Sequence, residues 1–425
     1  FLRSLQKPFT RWTQISAFYL FRLHQLPVPS FVKYLDSPNT NVRNFSLRMI
    51  TFFQQLENAF ENNASPVIWF HAASLGEFEQ GRPVIEAYKK QKPEYKILLT
   101  FFSPSGYEVR KNYELADWVF YLPLDTKRNA KKFISIIKPQ KVVFIKYEFW
   151  YHYINELYKK SIPVSIISAN FRKNQIFFQW YGKWYKKALK KIQKIFVQNN
   201  ASLELLTQHG ISNAEMAGDT RFDRVYKVAQ NPQQLEKIEN AIDKNYPTII
   251  AGSSWTQEED FLNRFILKNS NVNLILAPHE IHESNLKRIE KLFANKITRY
   301  STLQYHQKHS AILIDTIGIL SSIYQYGDVA FIGGGFGKGI HNVLEAATFG
   351  LPLIIGPNYQ KFNEAVELIR QKGAFSVSNY EDFETILKQL IHDEETLKKS
   401  SEVVKTFVNN NIGATSMILK ELTNY

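Results

Sequence analysis

No cysteine occurs among the 425 residues. That excludes a disulfide framework and thiolate metal ligation, and it makes a reducing compartment the easier setting. No run of eighteen apolar residues occurs, so no segment reads as an ordinary transmembrane helix. There is no Gly-Lys-Ser/Thr of a Walker loop, no Gly-Xaa-Ser-Xaa-Gly nucleophile elbow and no Asp-Xaa-Asp. Repeats, low-complexity tracts and a secretory signal pattern are missing as well. Acidic residues are scarce in one half only. Residues 1–245 hold 36 Lys+Arg against 20 Asp+Glu, net +16, and residues 246–425 hold 17 against 19, net −2, for a total of +14. A one-sided excess points to an anionic partner for the first half: nucleic acid, a phosphorylated substrate or an anionic membrane face. A merely soluble lysine-rich surface fits a uniform excess better.

With 44% hydrophobic and 22% charged residues, the chain is long enough for two or three domains that each bury a core. From Pro66 onward apolar strands alternate with amphipathic helices. Strands are expected at 67–70, 96–101, 119–121, 142–145, 164–167 and 195–197, with helices at 82–90, 105–113, 130–137, 149–159 and 178–191. A polar passage at 230–245 breaks the pattern, which restarts at 248–251, 274–276, 311–314, 329–332 and 353–355. The expected class is α/β. Two Rossmann-like doubly wound parallel-sheet domains, 63–240 and 246–405, would face each other across a cleft, with ligands at the carboxyl ends of the strands. A helical N-terminal segment, 1–62, precedes them, and a C-terminal helix, 406–425, packs back on the first domain. Within the N-terminal segment, the aromatic stretch 12–21 and the helical spacing of Phe45, Met49, Phe52, Phe53, Leu56 and Phe60 fit either a membrane surface or a packed hairpin. The chain opens at Phe1 rather than Met, which leaves a further N-terminal anchor open.

The chain turns on the stretch from Phe331 to Ala347, where five glycines fall within seven positions after an apolar strand. Gly334, Gly335 and their neighbours allow the backbone to approach a ligand, and a helix starting near His341 offers N–H donors to a phosphate. A tight turn without a ligand is the plainer reading. Three other strand ends in this half carry small or polar groups: Ser253 and Ser254; Pro278 and His279; and the Ile317-Gly318-Ile319 turn. Four such ends on one sheet edge suit a nucleotide monophosphate.

In the first half, His71-Ala-Ala-Ser74-Leu-Gly76-Glu77 follows the first strand directly. Glu77 is placed to act as a general base. The opposing reading is that it only complements the next helix dipole, which would also weaken it as a base. Lys146-Tyr-Glu148-Phe-Trp150 leaves another strand, with Glu148 either facing the cleft or paired with Lys146. Arg221, in Gly218-Asp-Thr-Arg-Phe-Asp223, has the fork that grips phosphate or carboxylate, although Asp219 or Thr220 capping a helix explains the stretch equally. The segment 180–191 interleaves aromatics with lysines, as suits an anionic leaflet or a solvated helix face. His279, Glu280, His282 and Glu283 lack a metal-ligand spacing, so neither metal nor cofactor is expected.

Together these motifs resemble the 3-deoxy-D-manno-octulosonic acid (Kdo) transferases, GT-B glycosyltransferases of lipopolysaccharide biosynthesis, from about Pro66 to about Gly373. The resemblance implies an inverting enzyme that moves Kdo from CMP-Kdo onto the lipid A precursor at the cytoplasmic face of the inner membrane, without a metal in the transfer step. It implies that Glu77 is the base and that Glu148 and Arg221 stabilise the transition state. Ser74, Gly76 and Lys146 fall on the acceptor side. The CMP contacts implied are Pro278, His279, Ile317, Gly318, Ile319, Asn342, Val343, Leu344 and Glu345, and Ser253, Ser254, Gly334 and Gly335 are added to them from their own strand ends. His279 and Arg221 stand where many relatives carry arginine and lysine, and Ile319 where many carry an acidic residue. An anionic membrane surface is an expected partner, and nucleic acid is not. The residues alone also admit another GT-B nucleotide-sugar transferase, an epimerase, or a basic binding module without catalysis.

Overall fold

The computed structural model describes residues 40–304 and 308–424. The aromatic stretch 12–21 lies outside the described residues. Two compact units result, one running to Thr220 and resuming at Ala414, the other spanning Arg221–Gly413. Each is built on a parallel seven-stranded sheet.

The first sheet contains β1 (Val67–Ala72), β2 (Lys96–Phe101), β3 (Trp118–Tyr121), β4 (Lys141–Ile145), β5 (Val164–Ala169), β6 (Lys194–Val197) and β7 (Ala214–Met216), in the order β3-β2-β1-β4-β5-β6-β7. β1, β4 and β5 are buried along their whole length, as strands covered by helices on both faces must be. The helix Thr40–Phe60 sends Phe53, Leu56 and Phe60 into this core, so its apolar stripe meets protein. Met49 and Phe52 pack against the same core, and the other arm of the expected hairpin lies outside the described residues.

The second sheet contains β8 (Thr248–Ser254), β9 (Asn273–Pro278), β10 (Thr298–Arg299), β11 (Ala311–Leu313), β12 (Val329–Ile332), β13 (Leu353–Ile355) and β14 (Ala374–Ser376), in the order β10-β11-β9-β8-β12-β13-β14. The polar passage before it holds a short helix, Glu236–Ala241, that buries Ile238 and Ala241. After the helix Glu394–Asn411, Gly413 takes φ 108°, a left-handed value that suits glycine, and the chain re-enters the first unit. There the helix Ala414–Thr423 buries Ile418 and Leu422 beside Phe70 and Ile145, and the buried Lys141 ammonium donates to the Leu422 carbonyl. The tail is thus two helices divided at Gly413.

The expected helix 178–191 is shorter than its composition suggested. Two single 3₁₀ turns, Ile176–Phe178 and Trp180–Gly182, lead into a helix of seven residues, Lys183–Leu189. A Cβ at Gly182 would stand 1.6 Å from the Ile176 carbonyl oxygen, so the turn is wound too closely for another residue.

Candidate active site

In each sheet the order reverses beside the first strand of the unit, between β1 and β4 and between β8 and β12. Connections diverge there and leave a crevice at the carboxyl ends of the strands. Glu77 and Glu148 follow the two strands at the first, and the Ser253–Ser254 end and the glycine loop belong to the two strands at the second.

At the first, Ser74 ends the extended backbone and the helix Leu75–Gln91 begins, with Glu77 in its first turn. The Ala73 N–H donates to Glu77 Oε2 at 2.7 Å. That bond, the helix dipole and the Lys146 charge favour the carboxylate, but burial opposes them and the Glu148 charge adds to it. Burial prevails, and the Glu77 pKa is raised to about 7. The dipole position is real, yet the weaker base expected from it does not result. Gly76 is exposed, and a Cβ added there would meet nothing, so open surface adjoins Glu77.

Beyond β4, Lys146 adopts φ 71°, an uncommon backbone for a lysine, and turns the chain so that Glu148 points back toward β1. Glu148 is only 9% exposed. Its Oε2 lies 3.0 Å from Nε2 of the fully buried His71 and also accepts from the Trp150 indole N–H. The carboxylate is thus held by an imidazole and an indole. The structure brings Glu77, Glu148, Lys146, Ser74 and Gly76 together on one sheet edge. Arg221 belongs to the other unit, in the helix Thr220–Gln230, where its Nη2 lies 3.2 Å from Glu364 Oε1. Thr220 is buried, with its hydroxyl donating to the Gln80 carbonyl.

At the second switch point, Ser253 takes φ 53° just before the end of β8, and the Ser254 hydroxyl donates to Glu259 Oε1 at 3.1 Å. The His279 N–H donates to the Ser254 carbonyl, which ties the Pro278–His279 strand end to β8. The helix after the glycine loop is later and shorter than expected, Leu344–Thr348 rather than from His341. Asn342 Oδ1 accepts the Leu344 N–H at 3.1 Å, while its Nδ2 donates to Glu345 Oε1 at 2.9 Å. Burial raises the Glu345 pKa, against that bond and the Arg224 charge.

The glycines serve the protein's own packing before any ligand. A Cβ at Gly333 would lie 2.0 Å from the Ser253 carbonyl oxygen, and one at Gly335 would lie 2.6 Å from the Gly356 nitrogen. Gly334 has φ 87° and gives its N–H to Glu258 Oε1 at 2.8 Å. Val343, Leu344 and Ile319 are buried apolar side chains, so these positions offer main-chain groups only. Ile317 is 82% exposed, and Gly318 beside it takes φ 91°.

Sequence reasoning missed three groups. His71 and Thr100 are buried on neighbouring strands; His71 was visible only as one letter of a motif, and Thr100 carried no signal. Trp255 forms a stack with His279 (4.8 Å between ring centroids), which stacks in turn on His341 (4.2 Å). Two histidines and a tryptophan separated by some 86 positions of chain show no spacing that announces such a stack. Among the described residues, no three His, Cys, Asp or Glu side chains are grouped to hold a metal ion.

Residues 48–224 match the family model for 3-deoxy-D-manno-octulosonic-acid transferase (kdotransferase). The chain is 31% identical over 355 residues to the 3-deoxy-D-manno-octulosonic acid transferase of Aquifex aeolicus, covering 80% of this chain and 91% of that protein. It is 26% identical to that of Haemophilus influenzae, covering 84% and 87%. Among solved structures, it is similar to UDP-GlcNAc 2-epimerase from Neisseria meningitidis bound to UDP-GlcNAc (TM-score 0.60, 15% identity, 84% of this chain and 100% of that one). It is also similar to Acinetobacter baumannii MurG (TM-score 0.54, 12% identity, 85% and 100%). Those likenesses show the GT-B fold class, and the relatives show the activity class: the chain belongs to the 3-deoxy-D-manno-octulosonic acid transferase family of glycosyltransferases.

Proposed function

We propose that this transferase moves Kdo from CMP-Kdo onto a lipid A precursor in lipopolysaccharide biosynthesis, with inversion, and with Glu77 as the base. The observation that carries the proposal is the half-buried Glu77 carboxylate at the β1–β4 switch point, raised to about 7 and so poised to accept a proton near neutral pH. As the acceptor oxygen bonds to the anomeric carbon of Kdo, its proton passes to Glu77 and the bond from that carbon to the CMP phosphate breaks. The anomeric centre gains oxocarbenium character, which the Glu148 carboxylate favours, and CMP departs with its phosphate already charged. Arg221 is assigned to the same transition state.

The open surface beside Gly76, with Ser74 and Lys146, is assigned to the acceptor. Donor contacts are assigned to Ser253, Ser254, Pro278, His279, the turn 317–319, Gly334, Gly335 and residues 342–345. Main-chain amides there stabilise the phosphate without a proton transfer. We place the enzyme on the cytoplasmic face of the inner membrane. Support comes from the net charge of +16 on residues 1–245 and from Ile176, Trp180 and Trp184, exposed near Lys186 and Lys187. Among the described residues, no helix is long and apolar enough to cross a membrane.

Incubation with CMP-Kdo and lipid A precursor, followed by mass spectrometry of the lipid, tests the reading. Addition of Kdo, unchanged by EDTA, is expected; turnover of a UDP-sugar alone would overturn it.

A further inference from the structure

His71 lies at the centre of the first unit, and every polar atom of its ring has a partner. Nε2 is 3.0 Å from Glu148 Oε2, and Nδ1 is 2.9 Å from Thr100 Oγ1 and 3.1 Å from the Thr100 carbonyl. Thr100 is fully buried, and the Trp69 indole N–H donates to its hydroxyl oxygen at 2.7 Å. The hydroxyl hydrogen has two acceptors in reach, the Phe70 carbonyl at 3.4 Å and His71 Nδ1 at 2.9 Å, while the Thr100 carbonyl beside Nδ1 can only accept. An Nδ1 that accepts a hydrogen bond leaves the ring proton on Nε2, which faces the carboxylate. With the hydroxyl hydrogen toward Nδ1, donation runs one way, from Trp69 to Thr100 to His71 to Glu148. Among these four side chains no buried polar atom is left unpaired, an arrangement that is costly to disturb.

We propose that His71 is a positioning residue for transfer: the chain of hydrogen bonds from Trp69 through Thr100 fixes its proton on Nε2, and that proton holds the Glu148 carboxylate aimed beside Glu77. The inference rests on the proposed roles of Glu77 and Glu148. His71 touches neither the donor nor the acceptor; it acts through Glu148. The groups facing this carboxylate from each surrounding element are His71 on β1, Lys146 and Trp150 on its own loop, Glu77 on the helix Leu75–Gln91 and Tyr185 on the helix Lys183–Leu189. Asp125 acts on Tyr185 from further off while it accepts from the His152 N–H. The Glu148 charge raises the proton affinity of Glu77. The relay therefore tunes the base without touching it.

The test uses Thr100→Val, which keeps shape and removes the hydroxyl, with Thr100→Ser and His71→Leu beside it. In Thr100→Val the ring proton is expected to move to Nδ1, toward the carbonyl of residue 100. The bare Nε2 then no longer donates to Glu148, the carboxylate turns away from it, and its charge acts less on Glu77. The acid limb of kcat/KM against pH should move to lower pH, with kcat down roughly 10- to 100-fold, the range expected on losing a hydrogen bond to a charged group. Thr100→Ser should restore the wild-type limb, and His71→Leu should resemble Thr100→Val. A merely structural role would lower activity without moving the limb, and an unmoved limb overturns the proposal. Independently of turnover, ¹⁵N spectra of histidine-labelled protein should show His71 protonated on Nε2 alone, with the proton on Nδ1 in Thr100→Val; a wild-type ring protonated on Nδ1 overturns the relay. If the wild-type protein transfers no Kdo, the proposed function falls, and the spectra still decide the relay.

Discussion

Trp255 donates its indole N–H to Nε2 of His341 at 2.9 Å, and the two rings lie nearly parallel, 11° apart. His341 must therefore be bare at Nε2. Burial, reinforced by the neighbouring His279, lowers its pKa and keeps it neutral. Acidification through that lowered value puts a proton where the indole bond was. The expected outcome is a Trp255 fluorescence titration with its midpoint below the ordinary histidine value of about 6.5, absent from Trp255→Phe. A midpoint above that value would refute the arrangement.

With Glu77 as the proposed base, which must be ionised, kcat/KM should rise with pH and level off above about 7. Glu77→Ala should lose the limb and about 10²- to 10⁴-fold in rate, the usual contribution of a positioned base. CMP binding should persist, since the donor residues lie in the other unit.

The same residue weakens the fold. Its pKa is raised from 4.5 to about 7, so the native state holds a proton that the unfolded state has lost across that interval. Stability present below 4.5 is lost as pH rises through 7. Glu77→Gln should then melt above the wild type at pH 8 and converge with it toward pH 4.5. Equal melting at both pH values would contradict the burial of the charge.

Two glycine substitutions should behave oppositely. Gly333→Ala drives a methyl to 2.0 Å from the Ser253 carbonyl oxygen and should cost about 1–3 kcal/mol or prevent folding. In Gly337→Ala, the nearest atom is 3.6 Å away and φ is not left-handed, so denaturant melting should stay within about 0.5 kcal/mol of wild type.

Trp180 is 83% exposed, and Trp184 stands near it on the helix Lys183–Leu189. The double variant Trp180→Ser/Trp184→Ser should bind vesicles of anionic phospholipid more weakly while melting as the wild type does. Undiminished binding at moderate salt would move the membrane contact elsewhere.

What the sequence disclosed was set by burial. The fully covered strands β1, β4 and β5 are continuous apolar runs, readable without a partner in view. The strands overlooked, β7, β10 and β14, are two or three residues long and lie at sheet edges, where one neighbour suffices and few apolar side chains are needed. The site divides in the same way. Glu77 and Glu148 follow strong strands directly and were legible as strand-end carboxylates. The partners of Glu148 were not, because pairing of β1 with β2 and of β1 with β4 brings together residues 29 and 77 positions apart. The glycine loop was legible as a turn, but not that the Ser253 and Gly356 backbones themselves demand glycine there.

The return at Gly413 has a bearing on how the protein is made. The first unit lacks one buried face until Ile418 and Leu422 arrive, and Lys141 waits for the Leu422 carbonyl. Those residues emerge from the ribosome only after the whole of Arg221–Gly413. The second unit can therefore complete before the unit that carries Glu77, which waits for the helix Ala414–Thr423. A chain cut at Gly413 thus holds the whole second unit, while the first still lacks Ile418 and Leu422.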